Sequence, residues 1–166
     1  MFQCGSKNEV TDVLQQMMDR EVIIPNDLMP KIYNHTQPDS TLLQSSVKMI
    51  VYLDKQGCQG CKLLDLLSFN SFINELQIFK KVGIVVLLHP SQFDATDYFL
   101  GQIRYNHTVF YDLDGSFERL NPHLPKNERF HTFLLDENNR IILIGNPIGN
   151  PKLKKLYLAV LNKHLP

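Results

Sequence analysis

Ile50-Val51-Tyr52-Leu53-Asp54-Lys55-Gln56-Gly57-Cys58-Gln59-Gly60-Cys61-Lys62 decides the reading of this chain. It closes a segment, Val47 to Leu53, rich in branched and aromatic residues, the composition of a buried strand. That strand runs straight into a polar break and then a C-x-x-C pair. After Cys61 come Leu63, Leu64, Leu66, Leu67, Phe69, Phe72, Ile73 and Leu76 without a proline. This pattern is too long for a strand and suits a helix, with a bend expected near Ser68 to Ser71. The two cysteines are therefore expected at a helix N-terminus.

A dithiol that shuttles electrons needs two sulfurs close enough to bond, one of them exposed enough to attack a partner disulfide. Two intervening residues at a helix start provide both. The partial positive charge and free N–H groups of the helix start lower the pKa of the first cysteine from its reference of about 8.5. Cys58 is thus expected to be the nucleophile. Cys61, one turn further in, is expected to be shielded and to resolve the mixed disulfide by attacking Cys58. Gln59 and Gly60 tune the potential without bringing a charge. Such chemistry needs no cofactor.

Downstream, Val82 to His89 is the next continuous apolar run, closed by Pro90. Gln92 to Arg104 follows as a helix and Thr108 to Tyr111 as a third strand. Residues 131–136 and 140–145 flank Glu137-Asn138-Asn139, residues that tolerate a tight turn, so an antiparallel hairpin is expected and the sheet is mixed. In the last element Leu153, Leu156, Tyr157, Val160 and Leu161 share one face, with Lys152, Lys154, Lys155 and Lys163 elsewhere. Asn150 is its expected N-cap and Pro151 its first helical residue.

Upstream, Val10, Val13, Leu14, Met17 and Met18 form a helical stripe across Glu9 to Arg20. Between Glu21 and Ser40, three prolines separate Val22 to Ile24, Leu28-Met29 and Ile32-Tyr33, the pattern of short strands or extended pieces joined by turns. The first eight residues read as a flexible N-terminus without the basic start and apolar core of a signal peptide. Cys4 has two readings: a lipid attachment site exposed by removal of a leader, or a free thiol in a floppy terminus. Gln3 stands where a small residue normally precedes a lipidated cysteine.

The 166 residues suit one domain, 9–166, with 9–40 as an extension. Lys+Arg and Asp+Glu are 17 each and hydrophobic residues 43%, which excludes a disordered chain and a basic nucleic-acid binder. Apolar stretches such as Ile84 to Leu88 are far below the roughly 18 to 20 residues that span a bilayer. Membrane contact would come only through an N-terminal lipid.

Other chemistries fit less well. Zinc needs two more ligands, and no second C-x-x-C or closely spaced Cys/His pair exists; His35, His89, His107, His123, His131 and His164 are scattered. No metal is therefore expected. A purely structural disulfide closing so short a loop removes little unfolded-state entropy.

Strand, cysteine-bearing helix, strand, helix, strand, hairpin and terminal helix together resemble the thioredoxin-like superfamily, and within it the TlpA/ResA-type extracytoplasmic thiol-disulfide proteins. The resemblance covers about residues 40–165. It rests on Ile50 to Asp54 leading to Gly57 to Lys62, on Thr132-Phe133-Leu134-Leu135-Asp136 with Arg140-Ile141-Ile142, and on Gly145 to Pro151 before the last helix. It implies an α/β fold with a central mixed sheet flanked by helices, a protein thiol or disulfide as substrate, and a periplasmic or envelope location, often with a lipid anchor. It also implies that the 145–151 loop lies near the cysteines. The chain departs from the family where a large residue usually precedes the first cysteine (Gly57), where a buried acid lies in the preceding strand (Tyr52), and at the cis-proline (Phe130). Since a non-proline cis bond costs about 2.5 to 4 kcal/mol, Phe130 is expected to be trans. Phe130 either presents an apolar face to a partner or is core, and His131 either tunes Cys58 or alternates outward. The functional alternatives are an oxidoreductase and a non-catalytic binding module of the same fold. A peroxidase is a weak third, as its lone cysteine in a Pro/Thr-rich context is not seen.

Overall fold

The computed structural model describes residues 7–79 and 81–165. Helix α1 (Lys7–Met17) and a short strand β1 (Met29–Lys31) precede a 3-10 turn at Ser40–Gln44. Then follow β2 (Val47–Leu53), α2 (Gln59–Leu76), β3 (Val82–Leu88), α3 (Phe93–Gln102), β4 (Val109–Tyr111), α4 (Ser116–Leu120), a 3-10 turn at Glu128–Phe130, β5 (Thr132–Leu135), β6 (Ile141–Ile144) and α5 (Pro151–His164). The strands form one sheet in the order β1-β4-β3-β2-β5-β6. β2, β3 and β4 are parallel, joined by crossovers through α2 and α3; β1, β5 and β6 run antiparallel to their neighbours. The sheet is mixed, as expected.

β2 sits between β3 and β5, so both its edges are paired, and only Leu53 at its end is less than fully buried. Its side chains alternate between two apolar layers. Val47, Met49 and Val51 join Leu63, Leu66, Phe69, Phe72 and Ile73 of α2 and Tyr157 and Leu161 of α5. Ile50 and Tyr52 face the other way, toward Val13 and Met17 of α1, Phe117 of α4, and Phe130. This two-sided burial selects the branched and aromatic residues of Val47 to Leu53.

α2 is a single helix from Gln59 to Leu76, so no break stands at the expected bend. Phe69, Phe72 and Ile73 are buried through that segment, and packing on the sheet carries the helix past the serines. Of the three apolar pieces before Ser40, only the middle one becomes a strand, pairing with β4 at the sheet edge. Glu21 makes an isolated bridge to Arg140. α5 begins as expected, with Asn150 accepting from the Leu153 N–H at 3.1 Å and Pro151 in its first turn. Cys4 lies outside the described residues. Among those described, no helix is long and apolar enough to cross a membrane.

Candidate functional site

β2 delivers the chain to Asp54, and Gly57 makes the turn into α2 with φ +70, a left-handed conformation that glycine adopts without a Cβ penalty. Cys58 then takes an extended conformation and serves as the N-cap of α2, its Sγ accepting from the Cys61 N–H at 3.2 Å. Sulfur here does what Ser or Asp oxygen does at most helix starts. Cys58 and Cys61 are joined as a disulfide with Cα atoms 5.3 Å apart. Both residues are exposed. The expected shielding of Cys61 is therefore corrected: it lies in the first turn of α2, and the buried stripe begins at Leu63.

The turn is tied down by one buried acid. The Asp54 carboxylate accepts from the Gln56 N–H at 2.7 Å and from Lys62 Nζ at 2.5 Å. Its backbone carbonyl accepts from Gln59 Nε2 at 2.9 Å and Lys62 Nζ at 3.3 Å. Side-chain exposure is 4% at Asp54 and 10% at Lys62, so this ion pair is largely removed from water. Lys62 also pairs with the exposed Glu128 at 3.2 Å. Gln59, expected to tune the pair, is half-buried and braces the turn; Gly60 has open space around it.

His131 meets the same carboxylate from the opposite side, Nδ1 lying 3.3 Å from Asp54 Oδ2 but outside hydrogen-bond geometry. Its Nε2 is 2.7 Å from the Pro125 carbonyl, which only accepts, so Nε2 carries a proton. His131 is thus buried rather than turned outward, and it links the loop before β5 to the turn that carries the cysteines. Phe130 is 5% exposed and belongs to the α1 side of the core. No peptide bond among the described residues is cis, as expected at Phe130.

Two hollows flank this cluster. A cavity of about 460 Å³ is lined by Tyr52, Asp54, Gln56, Glu118, Leu124 and His131, among others. In it the Tyr52 hydroxyl donates to Glu118 at 3.0 Å, and burial followed by the Glu118 charge pushes the phenol well above its ordinary pKa of 10.0. Tyr52 stays a neutral donor. On the other side a groove of about 1090 Å³ runs along α2 past Lys62, Leu66 and Phe69, with Phe130, Leu143, Ile148 and Leu153 opposite. Gly145, Asn146, Ile148 and Asn150 of the 145–151 loop line this groove together with Lys62.

Asp54, Lys62 and Glu128 are the residues that sequence reasoning passed over. The two-residue period of a strand puts positions 52 and 54 on one face, and the buried acid stands at 54 rather than at 52. Lys62 carried no signal beyond its place next to Cys61.

No protein-family model matches the chain, and no curated protein matches it in sequence. Solved structures do match in fold. The chain superimposes on a protein assigned as the thiol:disulfide interchange protein DsbE from Chlorobium tepidum with a TM-score of 0.58, at 20% identity, covering 87% of this chain and 99% of that one. A structure assigned as a protein disulfide isomerase from Bacteroides thetaiotaomicron gives 0.57, at 11% identity and 90% and 91% coverage. A PrxQ variant from Xylella fastidiosa gives 0.58, at 13% identity and 87% and 98% coverage. The fold is thioredoxin-like, with its C-x-x-C pair at the start of the helix that follows the central strand.

Proposed function

We propose that this chain is a thiol-disulfide oxidoreductase that acts on protein disulfides in the cell envelope, using Cys58 as nucleophile and Cys61 as the resolving thiol. The observation that carries the proposal is an exposed Cys58–Cys61 disulfide that caps the N-terminus of α2. A sulfur accepting a helix N–H is stabilised as an anion by that N–H and by the helix dipole.

In the reduced protein the Cys58 thiolate attacks one sulfur of a partner disulfide. A mixed disulfide forms, the partner's S–S bond breaks, and its second sulfur leaves as a thiolate that takes a proton from water. Cys61 gives up its proton to solvent, and its thiolate attacks Cys58 Sγ. The Cys58–Cys61 bond forms, and the partner's first sulfur leaves and is protonated. Two electrons pass to the partner, and the disulfide seen here is the product state.

The binding-module alternative would place an aromatic lid over the sulfurs. Phe130 instead packs in the core and both cysteines face solvent, which supports the enzyme. The envelope location rests on the resemblance to extracytoplasmic thiol-disulfide proteins and on the likeness to a structure assigned as DsbE. In the same reading a lipid on Cys4 is the tether, and residues 9–166 are one domain.

The test is mass-tagged alkylation after equilibration in dithiol buffers of stepped potential, with Cys58→Ser and Cys61→Ser as controls. A reversible two-electron transition between about −270 and −120 mV, with Cys58 alkylated first and faster than a free thiol at neutral pH, is expected. A pair that stays oxidised at every potential, or never closes, defeats the proposal and brings the binding module forward.

A further inference from the structure

We propose that Asp54 is a positioning residue for the dithiol: by neutralising the ammonium of Lys62, the residue one helical turn on from Cys58, it holds the equilibrium of the Cys58–Cys61 pair toward the disulfide. This rests on the oxidoreductase reading and adds to it the residue that sets the pair's poise.

Lys62 is the cation nearest the cysteines in sequence, and its backbone N–H donates to the Cys58 carbonyl at 3.2 Å, which sets it one helical turn on from Cys58, at the i, i+4 spacing that puts two side chains on one face. Its ammonium is desolvated, at 10% side-chain exposure, and every polar contact it makes is to Asp54 or Glu128. Thiolates exist only in the reduced state, so a desolvated cation one helical turn away favours reduction, and a carboxylate that cancels it favours oxidation. Asp54 is the buried member of the two anions; Glu128 is 66% exposed and screened by water. The other groups facing this cluster are His131, whose Nδ1 lies 3.3 Å from Asp54, and the neutral Tyr52 with its Glu118 partner. The fold thus places a compensated charge pair within one helical turn of Cys58, where removing either partner moves the equilibrium in an opposite direction.

The exchange to be measured is that of the reduced protein and glutathione disulfide giving the protein disulfide and two glutathione thiols, at fixed neutral pH. Asp54→Asn keeps the shape and the acceptor oxygen, and lowers this equilibrium constant by roughly threefold to tenfold. Glu128→Gln lowers it in the same sense by a smaller factor. Lys62→Met raises it, and the Asp54→Asn/Lys62→Met double variant returns to within about twofold of wild type. If Lys62→Met alone does not fold, because its carboxylate partner is left buried and unpaired, then Asp54→Asn, Glu128→Gln and the double variant decide. Shifts of one sign in Asp54→Asn and Lys62→Met, or Asp54→Asn unchanged within about twofold, overturn the proposal. A wild-type pair that never exchanges with glutathione overturns the oxidoreductase reading and this proposal together. A wild-type pair that exchanges normally while the charge variants do not separate overturns this proposal alone.

Discussion

Cys58 Sγ accepts a hydrogen bond from the Cys61 N–H at 3.2 Å, so the atom proposed to attack a disulfide is also the N-cap of α2. Redox chemistry and helix stability meet in one sulfur. In reducing buffer, where no disulfide contributes, Cys58→Ser keeps a capping acceptor and Cys58→Ala does not. The alanine variant is expected to be less stable than the serine variant by about 1 kcal/mol in urea unfolding. Equal stability would show that the sulfur caps nothing once the disulfide opens.

The two glycines at positions 60 and 115 are expected to respond to alanine with opposite signs. Gly115 has φ +71, and a Cβ there would lie 2.6 Å from His89 Cε1, a ring atom of a buried side chain. Left-handed strain and the clash together are expected to cost Gly115→Ala at least about 2 kcal/mol. Gly60 sits in the first turn of α2 with open space around it, so Gly60→Ala is expected to be neutral or to stabilise by up to about 1 kcal/mol. Thermal unfolding of the two variants under identical redox conditions checks the contrast, and a destabilised Gly60→Ala would contradict it.

The parts of this fold that could be read from the chain are those where local pattern and tertiary environment agree. Val47 to Leu53 is apolar because both its faces are covered, and Asn150-Pro151 announces α5 because cap chemistry is local. Where packing overrides local preference, no local pattern announces the outcome. α2 continues through Ser68 to Ser71 because Phe69, Phe72 and Ile73 are buried there. β1 exists only through its pairing with β4, some eighty residues later in the chain. At the site, the C-x-x-C pair and its helix were legible. The Asp54–Lys62–Glu128 cluster and the meeting of Asp54 with His131 were not, since they join segments brought together only by the sheet.

Asn121 fastens the N-terminal extension to α4, beside the backbone bonds that tie Asp19 and Val22 to Ile141 and Asn139. Asn121 accepts from the Ile23 N–H and donates to the Ile23 and Phe117 carbonyls, each at 2.8 Å, and is 1% exposed. Asn121→Ala removes all three bonds and leaves backbone groups short of partners, with an expected loss of about 2 to 3 kcal/mol. Proteolytic nicking between residues 18 and 28 is expected to quicken well before global unfolding. If cleavage in the variant instead tracks global stability alone, Asn121 is not the local fastening.

Acid should weaken the fold beginning near neutral pH. Burial holds His107 below its ordinary 6.5, and burial with help from Arg20 does the same for His123. The Nε2 atoms of both are buried without a hydrogen-bond partner among the described residues. Since the folded pKa is the lower one, the unfolded chain takes up these protons first. Stability is complete above about 6.5 and falls as pH drops through the range below it. Asp97 adds nothing in that window: against the opposing effect of burial, hydrogen bonds from Lys31 and Tyr33 hold it below its ordinary 3.8, so its contribution is lost only at lower pH. Urea midpoints measured from about pH 7.5 to 5.5 should decline in wild type and decline less in a His107→Asn/His123→Asn variant. A double variant that declines as steeply as wild type would place the acid sensitivity elsewhere.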